Sequence, residues 1–254
     1  MHALILAAGY GTRLYPLTRT AAKPLLPLAG RPIVDYLLDA IREVEEVEAV
    51  HLVTNGRFAA SFRAWAGPLD VQVHDDGTTS EDDRLGAIGD IQLVVDRAGL
   101  EHEDLLVVAG DNLFDFSLSD YVDWWRAKDG SAIAVYEQPN RELVSQYSVV
   151  ELDGDDRVVG FEEKPERPES NLTAIATYVY HRAHLALLRA YLAEGNSPDQ
   201  PGHFVAWLHS RAPVYGYRFG GEWVDIGNHA QLLEADNRYR RREGLPERDQ
   251  YSLD

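Results

Sequence analysis

Residues 4–28, LILAAGYGTRLYPLTRTAAKPLLPL, constrain this chain more than any other stretch. The run Ala3-Leu4-Ile5-Leu6 is short and apolar without alternation, as a central parallel strand covered on both faces requires. Its character then changes at once. Ala7 and Ala8 are small, and Gly9 and Gly11 permit backbone angles and close approaches that side chains forbid, with Thr12 and Arg13 directly behind. Such a loop turns backbone N–H groups toward an anion. Arg13 adds a planar guanidinium suited to phosphate oxygens, and Lys23, before Pro24, adds a point charge after a second loop that Pro16 stiffens. Two familiar phosphate loops are excluded. A G-x-G-x-x-G fingerprint needs a glycine where Leu14 stands, and a P-loop needs a Gly-Lys-Ser/Thr that is absent.

What remains, L-A-A-G-x-G-T-R-L-x-P-L-T followed by K-P-L-x-P from Leu6 to Pro27, resembles the signature of the sugar-1-phosphate nucleotidylyltransferases. Glucose-1-phosphate thymidylyltransferases and mannose-1-phosphate guanylyltransferases belong to that family. An ordinary strand-to-helix turn explains the two glycines, but it does not explain Arg13 and Lys23 at these spacings.

The chain has 254 residues and is 45% hydrophobic, enough to bury a sizeable core. No stretch approaches the apolar length of a membrane span, and the N-terminus runs into the first strand without a basic region or cleavage site. A soluble, cytoplasmic protein is expected. The absence of cysteine excludes disulfides and thiolate chemistry. A formal charge of −18 disfavours nucleic acid and anionic membranes as partners, so an anionic substrate needs a local basic site. Lysine occurs only at positions 23, 128 and 164, all other cations being arginine. Two of the three lie in Lys-Pro pairs where the resemblance places functional lysines, which suggests a need for a compact, flexible ammonium there.

Strand and helix signals alternate along the chain. Helical spacing follows Arg31-Pro32, with Ile33, Leu37, Leu38 and Ile41 on one face. Strands are expected at 49–54, 71–74, 105–109, 132–136, 146–152, 158–163 and 214–219, and helices at 57–65, up to about Ala98, beside Tyr121 to Trp125, at 181–194 and from about Ala230. Asp153-Gly154-Asp155 reads as a hairpin turn. This pattern predicts an α/β fold with a doubly wound, mostly parallel mixed sheet flanked by helices. The resemblance makes it Rossmann-like and GT-A-like, with a small β/α sugar-binding portion. One domain over residues 1–243 is expected, with a nucleotide-binding half (1–130), a sugar-phosphate half (131–228) and a C-terminal helix (229–243). Residues 244–254 read as a loose tail. The arginines at 238 and 240–242 suit the C-terminal end of a helix and its dipole.

The resemblance also assigns sites. It implies that Ala8, Gly9, Gly11, Thr12, Leu85, Gly86 and Asp111 bind the nucleotide. Leu85-Gly86 and Gly89 look like the guanylyltransferase form L-G-T-A-G-A-L, with Ala87-Ile88 replacing Thr-Ala, while the thymidylyltransferase form Q-x-P-x-G-L-A is missing. The base therefore stays open between dTTP or UTP and GTP. Gly110-Asp111-Asn112, just past an apolar strand, matches the family's metal motif, and Trp223-Val224-Asp225-Ile226-Gly227-Asn228 matches W-x-D-x-G-T with asparagine for threonine. Asp111 and Asp225 would hold Mg²⁺, a cation that prefers oxygen ligands. Glu162-Glu163-Lys164-Pro165 places Glu163 and Lys164 at the sugar and its phosphate, joined by Tyr147 and Thr177. Ser148 and Ala176 depart from glycines of the thymidylyltransferases, which points to a different hexose.

The implied reaction joins a nucleoside triphosphate and a sugar-1-phosphate, with Arg13, Lys23 and Lys164 as the catalytic cations. Its nucleophile is a phosphate oxygen already ionised at neutral pH, so none of the nine histidines is needed as a base. Homo-oligomers are usual in such a family. Two rival classes are a non-catalytic regulator of the same fold and a GT-A glycosyltransferase, for which Asp153-Gly154-Asp155 has the spelling of the metal motif but the setting of a turn. No hexapeptide repeat lies in these residues, which argues against an acyltransferase portion within them.

Overall fold

A computed structural model describes residues 1–253 of the chain. The N-terminal apolar run is β1 (His2–Leu6), from which the glycine loop passes through three short 3-10 turns to the paired two-residue strands β2 (Pro27–Leu28) and β3 (Arg31–Pro32). Helix α1 (Ile33–Arg42), strand β4 (Ala49–Thr54), helix α2 (Ala59–Ala66) and strand β5 (Val71–Asp75) follow. Then come α3 (Ala87–Ala98), β6 (Leu105–Ala109), β7 (Asn112–Phe114), α4 (Leu118–Arg126) and β8 (Ser131–Glu137). The remainder comprises α5 (Arg141–Val144), β9 (Ser148–Leu152), β10 (Val158–Glu163), β11 (Leu172–Tyr180), α6 (Arg182–Leu185), α7 (Leu187–Ala193), α8 (Pro201–Leu208), β12 (Val214–Phe219), β13 (Trp223–Asp225) and α9 (His229–Arg242).

Nine strands form one mixed sheet. Strand β1 lies between β4 and β6, parallel to both, and β5 extends the parallel part beyond β4. On the other side β11 runs antiparallel to β6 through Thr177–Val108 to Tyr180–Leu105, and antiparallel to β8, which pairs in parallel with β12. The first part of β11 also pairs with β9 of the β9–β10 hairpin, whose turn is Asp153-Gly154-Asp155. A register shift between Ala174 and Tyr178 separates the two parts.

Both faces are covered, which is why the central strands are apolar throughout. Ala3 and Ile5 point to one side, into a core with Ile33, Leu37 and Ile41 of α1, Val122 of α4 and Leu232 of α9. Leu4 points to the other, against Ile91 and Val94 of α3, Leu188 of α7 and Phe204 of α8. The expected doubly wound α/β architecture is the observed one. No described helix is long and apolar enough to cross a membrane.

Three local expectations are corrected, and two elements were not expected. Strand β11, the longest of the sheet, and helix α8 carry no sequence assignment above. Their small and mixed side chains, Thr173-Ala174-Ile175-Ala176-Thr177 and Pro201-Gly202-His203, give weak periodicity. The helix expected over 181–194 divides into α6 and α7 at Ala186, and the strand expected from Gln146 begins at Ser148. The tail from Gly244 is tied down. Tyr251 donates its hydroxyl to the Pro27 carbonyl at 2.7 Å, and Asn237 of α9 exchanges two hydrogen bonds with the Arg248 backbone. Asp254 lies outside the described residues.

Candidate active site

A cleft of about 530 Å³ opens at the carboxyl ends of β1 and β6, where an α/β sheet presents its loops. Its floor begins with the glycine loop. Gly11 has φ +61°, a left-handed angle that glycine adopts without strain, and the Thr18 hydroxyl donates to its carbonyl at 2.7 Å. The Asn55 side chain, itself fully buried, donates to the Ala8 carbonyl at 2.8 Å. These bonds hold Ala8, Gly9, Gly11, Thr12 and Arg13 along the cleft. Arg13 makes no ion pair among the described residues, and its guanidinium reaches across to Gly227, within 3.2 Å of where a β-carbon there would lie.

Asp111 stands where β6 ends. Gly110 lets the chain pass so close to β1 that a β-carbon there would be 2.8 Å from the Leu6 carbonyl oxygen, and the Gly110 N–H donates to that same oxygen. The Lys23 ammonium lies 2.6 Å from Asp111 Oδ2, and the Asn112 side chain donates to Oδ1 at 2.9 Å. Burial alone would raise the Asp111 carboxyl, but the Lys23 charge and these hydrogen bonds outweigh it and hold it below the usual range. Strand β13 pairs with β7 so that Asp225 lies opposite Asn112, and the Ile226 N–H donates to the Asp111 carbonyl at 3.2 Å. Two carboxyls 114 positions apart in the chain thus stand side by side. Burial, and then the neighbouring Asp111 charge, raises Asp225 to about 6, against the pull of Lys23, Arg13 and Lys164.

Asn228, the departure from threonine, begins α9. Its side chain accepts the Gln231 N–H at 3.0 Å as an N-cap, and the Gln231 side-chain oxygen accepts the Gly227 N–H at 2.9 Å. The same residue type that ends the motif therefore starts the helix.

The far wall carries Tyr147, Ser148, Glu163 and Lys164. Ser148 donates to Glu163 Oε2 at 2.5 Å, while Lys164 lies 3.7 Å from Oε1 and bonds Gln200 at 3.3 Å. Lys164 is held at φ +48°, a costly angle for a residue with a β-carbon and one more often found where a site demands it. The Tyr147 ring meets Trp223 edge to face at 4.7 Å, and burial followed by the Asp225 charge pushes its hydroxyl up to about 12. Trp223 in turn donates to the Asn112 side chain at 2.7 Å, linking this wall to the carboxylates.

Two expected site residues do not reach the cleft. Thr177 is fully buried on the opposite face of β11, among Ile175 and Val179, because strand alternation turns Ala174, Ala176 and Tyr178 toward the cleft instead. Leu85 packs beside Gly89, outside the cleft lining, whereas Gly86 and Ala87 line it. Sequence reasoning also missed Asp76, Asp90, Gln146, Trp223 and Gln231, all in the lining. The one available signal was a carboxylate at position 90, inside an otherwise apolar helix face.

Known proteins resemble this chain over nearly its whole length. A nucleotidyl transferase family model matches residues 2–242. The UTP–glucose-1-phosphate uridylyltransferase of Synechocystis sp. is 30% identical over 92% of this chain and 62% of its own length. A glucose-1-phosphate adenylyltransferase of Clostridium acetobutylicum is 28% identical over 92% of this chain and 66% of its own. The chain thus spans less than two thirds of each of these relatives. A solved structure assigned as a glucose-1-phosphate thymidylyltransferase from Bacillus anthracis superposes with a TM-score of 0.80 at 20% identity, covering 94% of this chain and 95% of that one. At that identity the likeness concerns the fold.

Proposed function

The chain belongs to the nucleotidyl transferase family, and from that premise we propose that it transfers a nucleotidyl group from a nucleoside triphosphate to a sugar-1-phosphate, releasing pyrophosphate. One observation carries the reading. Arg13, Lys23 and Lys164 converge with Asp111 and Asp225 on one cleft, in a protein whose net charge is −18.

In this reaction a phosphate oxygen of the sugar-1-phosphate forms a bond to the α-phosphorus while the bond from that phosphorus to the β-phosphate's bridging oxygen breaks. The nucleophile arrives ionised, so no side chain has to accept a proton. What the protein supplies is position and charge. Backbone N–H groups of Ala8, Gly9, Gly11 and Thr12 cradle the triphosphate. Arg13, which makes no ion pair among the described residues, neutralises the departing pyrophosphate, and Lys23 meets the α-phosphate. Lys164 holds the sugar phosphate in line, with Glu163 and Tyr147 against the sugar. The crowding of Ser148 onto Glu163 favours a hexose other than the one a glycine would admit.

Asp111 and Asp225 suit Mg²⁺. They are adjacent and oxygen-bearing, and the raised Asp225 carboxyl records that Lys23, paired with Asp111, does not neutralise both. No group of three or more acidic, histidine or cysteine residues is placed to hold a metal ion among the described residues, so the remaining positions would fall to water and substrate oxygens. When bound, the ion would neutralise charge that builds at the α-phosphorus.

Incubation with each nucleoside triphosphate, a panel of sugar-1-phosphates and Mg²⁺, followed by pyrophosphate release, tests the proposal. Release that needs both substrates is expected. No release from any pairing would refute it.

A further inference from the structure

The chain that leads out of Lys23 has little slack. Pro24 and Pro27 fix their own φ, the Leu26 N–H donates to the Lys23 carbonyl at 3.0 Å, and the Ile33 N–H donates to the Leu26 carbonyl at 3.1 Å. Leu26 and Leu28 are fully buried in the core. The stretch ends in the two-residue loop Ala29-Gly30 between β2 and β3, where Ala29 takes φ +51° and Gly30 φ +86°. Glycine enters that left-handed region freely, whereas alanine is strained there and has to be held.

Asp236 of α9 holds it. This carboxylate is 2% exposed, and its Oδ1 accepts the Ala29 N–H at 2.7 Å across 207 positions of sequence. Arg248 faces it, with Nε 3.9 Å from Oδ2. The same guanidinium donates to the carbonyl and hydroxyl oxygens of Ser252 at 2.9 and 3.0 Å, which closes residues 248–252 into a loop and brings the Tyr251 hydroxyl to the Pro27 carbonyl. The hairpin is thus gripped at Pro27 and again at Ala29. A buried charge pair is a poor source of stability, because apolar side chains of equal volume do as well, but it does fix position. The helix that supplies Asp236 also steadies the opposite side of the cleft, since Arg238 and Arg242 reach Glu222 at 3.2 and 3.1 Å, just before the strand that bears Asp225.

We propose that Asp236 and Tyr251 are positioning residues for Lys23: with Arg248 they lock the β2–β3 hairpin against α9 and so keep the Lys23 ammonium in place at Asp111. The consequence for turnover rests on the nucleotidyl-transfer reading above, whereas the consequence for Lys23 itself does not. Neither Asp236 nor Tyr251 lines the cleft. Loosening them leaves the surfaces that bind both substrates intact and lets one charge contact wander, and a displacement on the order of 1 Å is felt in the transition state.

The test uses Tyr251→Phe, which deletes one hydroxyl, with Asp236→Ala and Asp236→Asn, each assayed well below its melting temperature; if Asp236→Ala does not fold, Tyr251→Phe carries the comparison. Steady-state pyrophosphate release is measured in the wild-type and Lys23→Met backgrounds. We expect Tyr251→Phe and Asp236→Ala to lower kcat about fivefold or more, to keep both KM values within about twofold of the wild type, and to change nothing once Lys23 is methionine. Asp236→Asn still offers an oxygen to the Ala29 N–H and should restore most of the loss. A second readout needs no turnover. Lysine occurs only at positions 23, 128 and 164, so a pulse of N-hydroxysuccinimidyl acetate followed by mass spectrometry reports acylation of Lys23 against Lys128 as internal reference. The Lys23 side chain is 10% exposed, and its acylation should quicken about threefold or more in Tyr251→Phe and Asp236→Ala. Lower melting temperatures with kcat and Lys23 acylation unchanged would reduce residues 245–253 to a cover and overturn the proposal. So would kcat losses that persist in full without Lys23, or an Asp236→Asn as impaired as Asp236→Ala. If no pairing of substrates releases pyrophosphate, the transfer reading fails, and the acylation ratio still decides the positioning.

Discussion

The ammonium of Lys23 and the carboxylate of Asp111 meet at 2.6 Å although 88 residues separate them, so the loop after β1 and the end of β6 are joined by one ion pair inside the cleft. The side chain of Lys23 is 10% exposed and that of Asp111 34%. Neither group is free to leave the other without a replacement charge.

Lys23→Met should therefore cost both stability and turnover. Removing one partner leaves a carboxylate facing Asp225 without its counter-charge, worth about 1–2 kcal/mol once the open side of the cleft is allowed for. Turnover should drop on the order of 10²- to 10³-fold, the range for losing one charge contact at a reacting phosphorus. Urea titration of Lys23→Met, Asp111→Ala and the double variant reads the pair directly. Additive losses would show the two to be uncoupled.

Asp225→Asn should move stability and activity in opposite directions. A carboxyl raised to about 6 in the folded chain favours the folded state most at acid pH, and that contribution is lost as pH climbs from about 4 through 6. The variant should thus gain on the wild type across this window, by roughly 1 kcal/mol after solvent screening, while losing most pyrophosphate release. Denaturation at pH 4.5 and 7.5 decides it. A variant less stable at the higher pH only would contradict the sign.

A row of imidazoles crosses the sheet from β1 through β4 to β5. His51 contacts His2 and His74 at 3.0 Å each, is 1% exposed, and is lowered to about 4 by burial and then by its two neighbours. The unfolded chain takes up protons there first. Stability should be full above about pH 6.5 and fall as pH drops toward 4, by at most about 3 kcal/mol from His51. His51→Gln should flatten that slope in calorimetric melts taken between these values. An unchanged slope would assign acid loss to other groups.

Ser148→Gly tests the far wall. Releasing Glu163 Oε2 from the serine hydroxyl should shift KM for the sugar phosphate severalfold and reorder the sugars accepted, with KM for the triphosphate unchanged. A change confined to the triphosphate would place Glu163 elsewhere in the reaction.

Much of this was readable before any coordinates. The central strands β1, β4 and β6 announce themselves because cover on both faces demands unbroken apolar runs, and Arg13, Lys23, Asp111 and Asp225 stand in short motifs whose spacing survives folding. What escaped had a physical reason. Small side chains along β11 floor the cleft and hide its strand period, so nothing in the sequence shows that Thr177 faces away from the sugar side. Asp90 occupies a position that helix spacing reserves for core residues, and only the folded chain shows that it lines the cleft. The docked tail depends on Tyr251 finding the Pro27 carbonyl, a partner more than two hundred residues away that no local pattern announces.

Strand β11 pairs with β6, β8 and β9, and Ala174, Ala176 and Tyr178 along it line the cleft floor. One stretch of main chain, whose pairing shifts between Ala174 and Tyr178, therefore carries this floor from β9 past β8 to β6. Because three neighbouring strands clamp that stretch, a larger side chain at Ala174 or Ala176 would be absorbed by whatever sits above it rather than by the sheet.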